Sequence, residues 1–486
     1  MYKPNISSYT FIAILVVLNL FLALYATPIH DLADTNAYIT LSKTLLGEVN
    51  HVDLQHRSPL YAIIMAGFML IFKAPALYKV MVLFQYILVA VSVWLVYLIF
   101  RRLFHRKELA MLVALLFNLS FSTIYYANII LTEILSVFLL ILSVYLLLRT
   151  SDNGRLTRIM ALGGLFGLLS LARFNTIPLI VTFIVLLGYI LFRQKVSIKK
   201  WIFLMGAFSL AYALTINSWC LYNYQHHQAY RLFPGASIGV IGTPRNITIA
   251  SIRPGIIVSE KNKPVLEIFL RAREKFHSRK KAVLKGSFAF LDKNDILSGL
   301  YSGYPIFLLA IPQLKAHYNL SGNTNPSEIT SKIDGFLKEI AAQRNKYIWK
   351  TRIYSLLSGF RASTGGSLPL KYGNVNLNFL PSSIFMTYKL SFLLICTIVF
   401  ISFFFFIINT IKKNFVPDIT LLVLFFIVFS FWGINFVFFT VGDANRFKFP
   451  AEPLIIGLFV FYSAKLFGWL KTKKLKLRRK NHAESI

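Results

Sequence analysis

The sequence predicts an all-α, polytopic membrane protein with ten spans and one large, mixed extracytoplasmic domain. Three observations carry that expectation. Apolar residues fall in blocks of roughly 17–25, the length that crosses a hydrocarbon core of about 30 Å. Charged residues make up 15% of the 486-residue chain and mean hydropathy is +0.62, too little charge to cover a soluble domain of that size. Basic clusters recur at alternate block ends, as a topology signal would place them.

The apolar blocks run at about 10–27, 77–100, 108–126, 128–148, 157–172, 176–192, 201–220, 385–411, 418–440 and 450–470. The first could pass for a signal peptide, with Ala26 as the cleavage residue, but its apolar run is long for one and it is read as a retained span. An eleventh stretch at 59–72 is short for a span, and the positive-inside rule decides how to read it. If it does not cross, Arg101, Arg102, Arg106, Arg149, Arg155, Arg158, the run from Arg193 to Lys200, Lys412 and the tail from Lys471 to Lys480 share one side with Lys3. If it crosses, those clusters face outward. The stretch is therefore expected to be a helix at the outer interface or re-entrant, with both termini cytoplasmic. Residues 1–220 then form an N-terminal membrane module with a first outer loop at 28–58. Residues 221–384 form an extracytoplasmic loop domain, 385–470 the C-terminal spans and 471–486 a basic cytoplasmic tail.

The net charge of +33 does not indicate nucleic acid, because an integral membrane protein collects Lys and Arg for topological reasons. The long loop is a separate matter: it holds 22 basic and 8 acidic residues, and long translocated loops escape the topology rule. Anionic lipid headgroups or a phosphorylated acceptor would suit such a surface, and so would plain solvation in a basic protein. Apolar periodicity in 264–291 and 328–360 predicts helices, with strands an option in 228–258. Cys220 and Cys396 both sit in apolar blocks and supply neither a disulfide framework nor a metal site.

Only 19 acids exist, and outside the long loop Asp31, Asp34, Glu48, Asp53, Glu133, Asp443 and Glu452 map at or near the outer face. Arg57, Arg173 and Arg446 map to the same face, as do His30, His51 and His56. Acids at a membrane boundary are costly to desolvate and usually face a cavity or partner. Gathered with arginines, they suit chemistry on an anionic, lipid-linked substrate: a guanidinium grips phosphate bidentately, and a carboxylate can take a proton from a hydroxyl. Any one of them alone reads equally well as a solvated carboxylate or a snorkelling arginine; the clustering on one face is the signal.

Local patterns sharpen this. From Asp34 a helix-like stretch carries Ala37, Leu41, Leu45 and Leu46 as an apolar stripe, and Gly47 is placed to end it. Asp34 sits near the N-terminal turn, where the helix dipole favours an ionised carboxylate. Arg57-Ser-Pro-Leu-Tyr61 starts the next helix, with Pro59 suited to its first turn.

This order of landmarks resembles the GT-C membrane glycosyltransferases, in the branch of protein O-mannosyltransferases and the lipid A aminoarabinose transferase. One span is followed by Asp34 and Tyr38, then Leu45 and Gly47, then a basic residue and Pro59-Leu-Tyr61 opening a short helix. The run from Gly163 through Gly167 to Arg173 is similar to the family's glycine-rich span ending in a basic residue. Trp219-Cys-Leu-Tyr-Asn223-Tyr and Asn445-Arg446-Phe-Lys-Phe-Pro450-Ala-Glu-Pro453 are similar to its motifs at the large-loop entrance and before the last span. The chain departs from the family at Thr35 and Ala37, where a second acid and an Arg are common, and at Tyr222, where an Arg is usual.

The resemblance implies a GT-C fold and inverting transfer of a sugar from a polyprenyl-phosphate carrier to a lipid, glycan or protein acceptor at the outer face of a bacterial inner membrane. It implies Asp34 as catalytic base. Arg446, Arg173 and Arg57 are expected to bind the donor phosphate, with Asp31, Tyr38, Glu133, Tyr61 and Asn223 supporting the site or the acceptor. Any divalent cation, Mg or Mn, would fall to Asp31, Asp34 and Glu133. Membrane lipids are the other expected partner, and nucleic acid is not. Two further classes stay open: an O-antigen-type oligosaccharide polymerase or ligase, which would need no first-loop acid, and a transporter or flippase, which would need charged or broken helices at mid-membrane depth.

Overall fold

The computed structural model describes residues 6–30, 33–49, 57–104, 106–227, 230, 232, 248–249, 251–283, 304–320, 326–342, 371–372, 375–376, 382–412, 418–438 and 449–483. The described chain is almost wholly helical. In order come α1 (Ile6–Tyr25), α2 (Ala33–Leu45), α3 (Pro59–Met69), α4 (Ala76–Phe104), α5 (Lys107–Asn118) and α6 (Phe121–Asn128). Then follow α7 (Glu133–Asp152), α8 (Leu156–Ala172), α9 (Leu179–Arg193) and α10 (Ile198–His227). The loop region supplies α11 (Lys263–Val283), α12 (Tyr304–His317), α13 (Pro326–Ala342) and a two-residue antiparallel pair, β1 (Lys371–Tyr372) with β2 (Val375–Asn376). The chain then returns through α14 (Ser382–Lys412), α15 (Ile419–Phe438) and α16 (Glu452–Ala483).

Among these, α4, α7, α10 and the apolar stretches Leu390–Ile408 and Phe449–Trp469 are long and apolar enough to cross a membrane, and α5 with α6 makes a sixth if the bent pair is one span. The other four blocks expected to span form α1, α8, α9 and α15, which are apolar but shorter within the described residues. Helix α3 has 11 residues, about 16 Å of helix, and falls short of a bilayer. The protein is an integral membrane protein on this apolar content. Side chains such as Val17 and Leu24 on α1, Ile202 and Leu210 on α10, and Phe404 and Phe405 on α14 are exposed, as lipid-facing residues must be.

Two boundaries differ from the sequence expectation. The block at 108–126 is not one straight span: α5 and α6 meet at 45°. Ser120 causes the break by capping α6, its Oγ accepting from the Thr123 amide at 3.2 Å. The next span starts at Glu133 rather than near 128, because Ile129 leaves the helix with extended backbone and pairs with Ile29. In the loop region the helices expected in 264–291 and 328–360 form α11 and α13 within their described parts. No strand occurs among the described residues of 228–258.

The glycine-rich span packs as its composition requires. α8 lies most extensively against α10, and a Cβ at Gly163 would run into the Phe208 carbonyl. At Gly167 it would meet Thr215 Cβ at 2.6 Å, whereas at Gly164 the nearest neighbour is 3.8 Å away. Small residues thus allow close backbone approach where lipid offers no hydrophobic driving force. Polar pairs tie other helices: Asn19 Nδ2 donates to Asn118 Oδ1 at 2.8 Å, and Thr182 to Ser430 at 2.7 Å.

The loop helices have a core of their own, in which Phe269 and Phe336 stack with centroids 5.6 Å apart among Val265, Ile306, Ile329 and Ile333. Glu339 on α13 latches the entry to α11. Its carboxylate accepts from Asn262 Nδ2 at 2.6 Å, from the Ser259 amide and from Ser259 Oγ at 3.0 Å. These hydrogen bonds, the Asn262 side chain's first, hold its pKa below the ordinary value of 4.5.

Two outcomes follow from this packing. Gly167→Ala should destabilise the protein by about 1–3 kcal/mol through overpacking, while Gly206→Ala, with open space around it, should be neutral or mildly stabilising; thermal unfolding in detergent compares them. Because the folded pKa of Glu339 is depressed, its latch is fully formed above about pH 4.5 and is lost as pH falls through the lower folded value. Protection factors in 258–263, taken relative to intrinsic exchange rates, should therefore fall on acidification in wild type, and Glu339→Gln should flatten that dependence.

Candidate active site

The first outer loop folds as a helix with matched ends. Asp34 lies in the first turn of α2. At the other end Gly47 has φ +76°, its amide donates to Thr44 O at 3.0 Å, and the Glu48 amide donates to Lys43 O at 2.9 Å. That is a Schellman cap, which needs the left-handed backbone glycine adopts freely. α3 opens with Pro59 behind Ser58, whose Oγ leaves its own helix uncapped and accepts the Phe174 amide at 3.3 Å. Ser42 Oγ donates to Ala62 O at 3.0 Å and fixes α2 on α3.

These ties bring two ion pairs into one region. Arg57 Nη2 sits 2.6 Å from Asp34 Oδ1, with side chains 28% and 22% exposed. Arg173 Nη1 lies 3.4 Å from Glu133 Oε1, with side chains 6% and 0% exposed. The Ser58–Phe174 hydrogen bond joins the chain positions directly after Arg57 and Arg173. Thr35 Oγ1 donates to Ile130 O at 3.1 Å and joins the residue after Asp34 to the stretch leading into Glu133. That stretch is further held by the Ile29 amide on Asn128 O at 2.9 Å and the Ile130 amide on Ile29 O at 3.2 Å.

Gln85 supplies the remaining support from within α4. Its Nε2 donates to Ala127 O at 3.1 Å and Ile129 O at 2.9 Å, and its Oε1 accepts from Tyr61 at 3.4 Å. Tyr61 is fully buried, edge-on to Tyr38 at 5.6 Å. Burial foremost, then the Glu133 carboxylate and Tyr38, push its phenol well above the ordinary range, so it stays neutral and donates. On the same side Phe449 packs 4.6 Å from Tyr126, ring to ring, just before buried Glu452 opens α16.

Of the residues singled out in the sequence, the structure gathers Asp34, Arg57, Tyr38, Tyr61, Glu133 and Arg173. Asn223 is placed otherwise: its Nδ2 donates to Leu232 O at 3.4 Å beside Trp219 Nε1 on the same oxygen at 3.2 Å, pinning the chain after α10. Asp31 and Arg446, with His51, Asp53, His56 and Asp443, lie outside the described residues. Gln85, Ser58 and Thr35 had not been read as site residues. The signal for Gln85 was present, since an amide in the middle of an apolar block requires partners. Among the described residues no three ligating side chains converge on a metal position, and Asp34 and Glu133 each already face a guanidinium.

Comparison with known proteins bears out the resemblance. The family model described as dolichyl-phosphate-mannose-protein mannosyltransferase matches residues 56–219, which include Arg57, Tyr61, Glu133 and Arg173. No curated protein matches the chain. Among solved structures, the crystal structure of ArnT from Cupriavidus metallidurans bound to undecaprenyl phosphate aligns over 93% of this chain and 77% of that one. It does so at 10% identity with a TM-score of 0.36, a level that leaves the site to be read from this chain's own residues.

The two ion pairs should respond differently to truncation. Removing one partner of the buried pair leaves an uncompensated charge, so Glu133→Ala or Arg173→Ala should cost about 3–5 kcal/mol. Arg57→Ala, at the partly exposed pair, should cost about 1 kcal/mol or less. Unfolding midpoints of the three variants in one detergent would measure the difference.

Proposed function

We propose that the protein is a glycosyltransferase that moves a sugar from a polyprenyl-phosphate carrier to an acceptor hydroxyl at the outer face of a bacterial inner membrane. The observation that carries the reading is the Asp34–Arg57 pair, a carboxylate and a guanidinium at 2.6 Å, both partly open to solvent. Those are the two groups such a reaction needs: one to take a proton and one to hold phosphate. The match of residues 56–219 to the mannosyltransferase family model supports the class of reaction.

In the mechanism, Arg57 exchanges Asp34 for the donor's phosphate when the carrier arrives. Asp34, released from Arg57, accepts the proton of the acceptor hydroxyl. The acceptor oxygen attacks the anomeric carbon opposite the phosphate, so the new bond forms with inversion. The bond between that carbon and the phosphate oxygen breaks, polyprenyl phosphate departs with the electron pair on its oxygen, and the guanidinium stabilises that charge. Arg446 is assigned to the phosphate as well. Arg173, 6% exposed and turned to Glu133, has a positioning role in this scheme and holds the wall on which α2 and α3 rest. The carrier's tail would lie along the apolar side of α3 and the turn that follows it, where Ile63, Leu70 and Ile71 are exposed. The ion pairs lie at helix ends rather than at mid-span, which favours this reading over transport.

Asp34→Asn removes the proton acceptor while keeping the size of the side chain at the start of α2. Transfer should fall by about 10²–10⁴-fold at matched expression, with membrane insertion unchanged. Asp53→Asn, in the same loop, should retain activity. The assay is labelled sugar leaving the lipid-linked donor in isolated membranes; turnover by Asp34→Asn at the wild-type rate would remove the base from this residue.

A further inference from the structure

The opposite ends of the helices that build the candidate site enclose a second feature. A cavity of about 730 Å³ opens where the C-terminal ends of α4 and α7 meet the N-terminal ends of α8 and α15. α7 has 20 residues between Glu133 and Asp152, about 30 Å, so this cavity lies one hydrocarbon thickness away from the Asp34–Arg57 pair. Five arginines line it: Arg101, Arg102, Arg149, Arg155 and Arg158. The two carboxylates in its wall are committed within the fold. Asp152 takes Arg102 at 2.7 Å, and Asp418 caps α15 by accepting the amides of Thr420 and Leu421 at 2.8 and 3.1 Å. An adjoining recess of about 450 Å³ shares Arg102 and Asp418 and adds Arg193.

Some of these guanidiniums build the wall. Arg158 Nη1 donates to Arg149 O at 2.6 Å and Asn153 O at 2.9 Å, closing the end of α7, and Arg102 Nη1 donates to Leu148 O at 3.1 Å. Arg149 instead lies 6.0 Å from the Tyr145 ring, and neither it nor Arg155 donates a side-chain hydrogen bond to another described residue. The positive excess therefore faces the cavity. The rest of the lining is hydrocarbon, from Leu98, Ile99, Leu148 and Ile419.

We propose that this cavity binds the phosphate headgroup of an anionic phospholipid, with Arg149 and Arg155 gripping the phosphate and the acyl chains leaving over the apolar part of the wall. A basic recess between helix ends at the bilayer boundary is where an anionic headgroup and its chains can be satisfied together. A soluble phosphate would engage only the arginines and leave the apolar wall wet. Guanidiniums suit the ligand because their planar fork pairs with two phosphate oxygens at once.

The test uses the full-length protein, delipidated in a mild detergent and titrated with phosphatidylglycerol, phosphatidylcholine or inorganic phosphate. Phosphatidylglycerol should raise the unfolding midpoint by at least about 2 °C, phosphatidylcholine and inorganic phosphate should not, and native mass spectrometry should show retained phosphatidylglycerol. The Arg149→Gln, Arg155→Gln double variant should lose at least half the shift and the retained lipid. Should that variant fold poorly, Arg155→Gln alone, at an exposed position, should lower retention relative to wild type, and Arg155→Lys should restore part of it. An equal shift from phosphatidylcholine, or an undiminished shift in the variants, would overturn the site. An equal shift from inorganic phosphate would overturn the lipid as its occupant.

Discussion

A chain that breaks a helix against an apolar slab must find partners for the backbone groups it frees, because each unsatisfied one costs several kcal/mol there. The site depends on how this protein meets that demand between α6 and α7. The carbonyls of Ala127, Asn128, Ile129 and Ile130 receive Gln85, Ile29, Gln85 again and Thr35 respectively. One donor comes from a span, one from the strand-like exit of α1 and one from the first turn of α2. Satisfying the break therefore also assembles the first loop onto the core, and it leaves Glu133 to open α7 with its carboxylate fully buried.

Burial then divides the work between the two ion pairs. A carboxylate and guanidinium held at 0% and 6% exposure are expensive to separate, since neither has water to fall back on. Asp34 and Arg57, each more than a fifth exposed, can part at far smaller cost. Only the second pair is open enough to exchange partners readily, and the first is suited to holding geometry. The same logic applies along α7 and α8: the two helices pack on each other, and Gly163 and Gly167 set α8 closely on α10.

Periodicity and block length made the helices legible, together with the short α3 and the glycine that ends α2. Residue chemistry made most of the cluster legible too, because acids and arginines at one membrane face are conspicuous against a 15% charged background. What could not be read was pairing. Asp34 and Arg57 are 23 positions apart, and their contact depends on Ser42 reaching the Ala62 carbonyl across two helices. The bend at Ser120 was hidden because hydropathy averages over a capping serine, while a cap acts through one hydrogen bond. Asn223 was carried by a motif at the loop entrance, and its amide instead pins Leu232.

Thr35 shows how a departure from a family pattern can have a local cause. Its side chain is fully buried with the hydroxyl donating to Ile130 O. A carboxylate in that place would bring a second acceptor against a carbonyl, without a donor to bridge them and without water to solvate the charge. So long as the backbone at Ile130 draws its hydrogen bond from the first turn of α2, this position requires a donor. The absence of a second acid beside Asp34 is then a consequence of how the break before α7 is satisfied. Among the described residues, Asp34 then faces the Arg57 guanidinium with a hydroxyl donor, not a second carboxylate, as its neighbour in the chain.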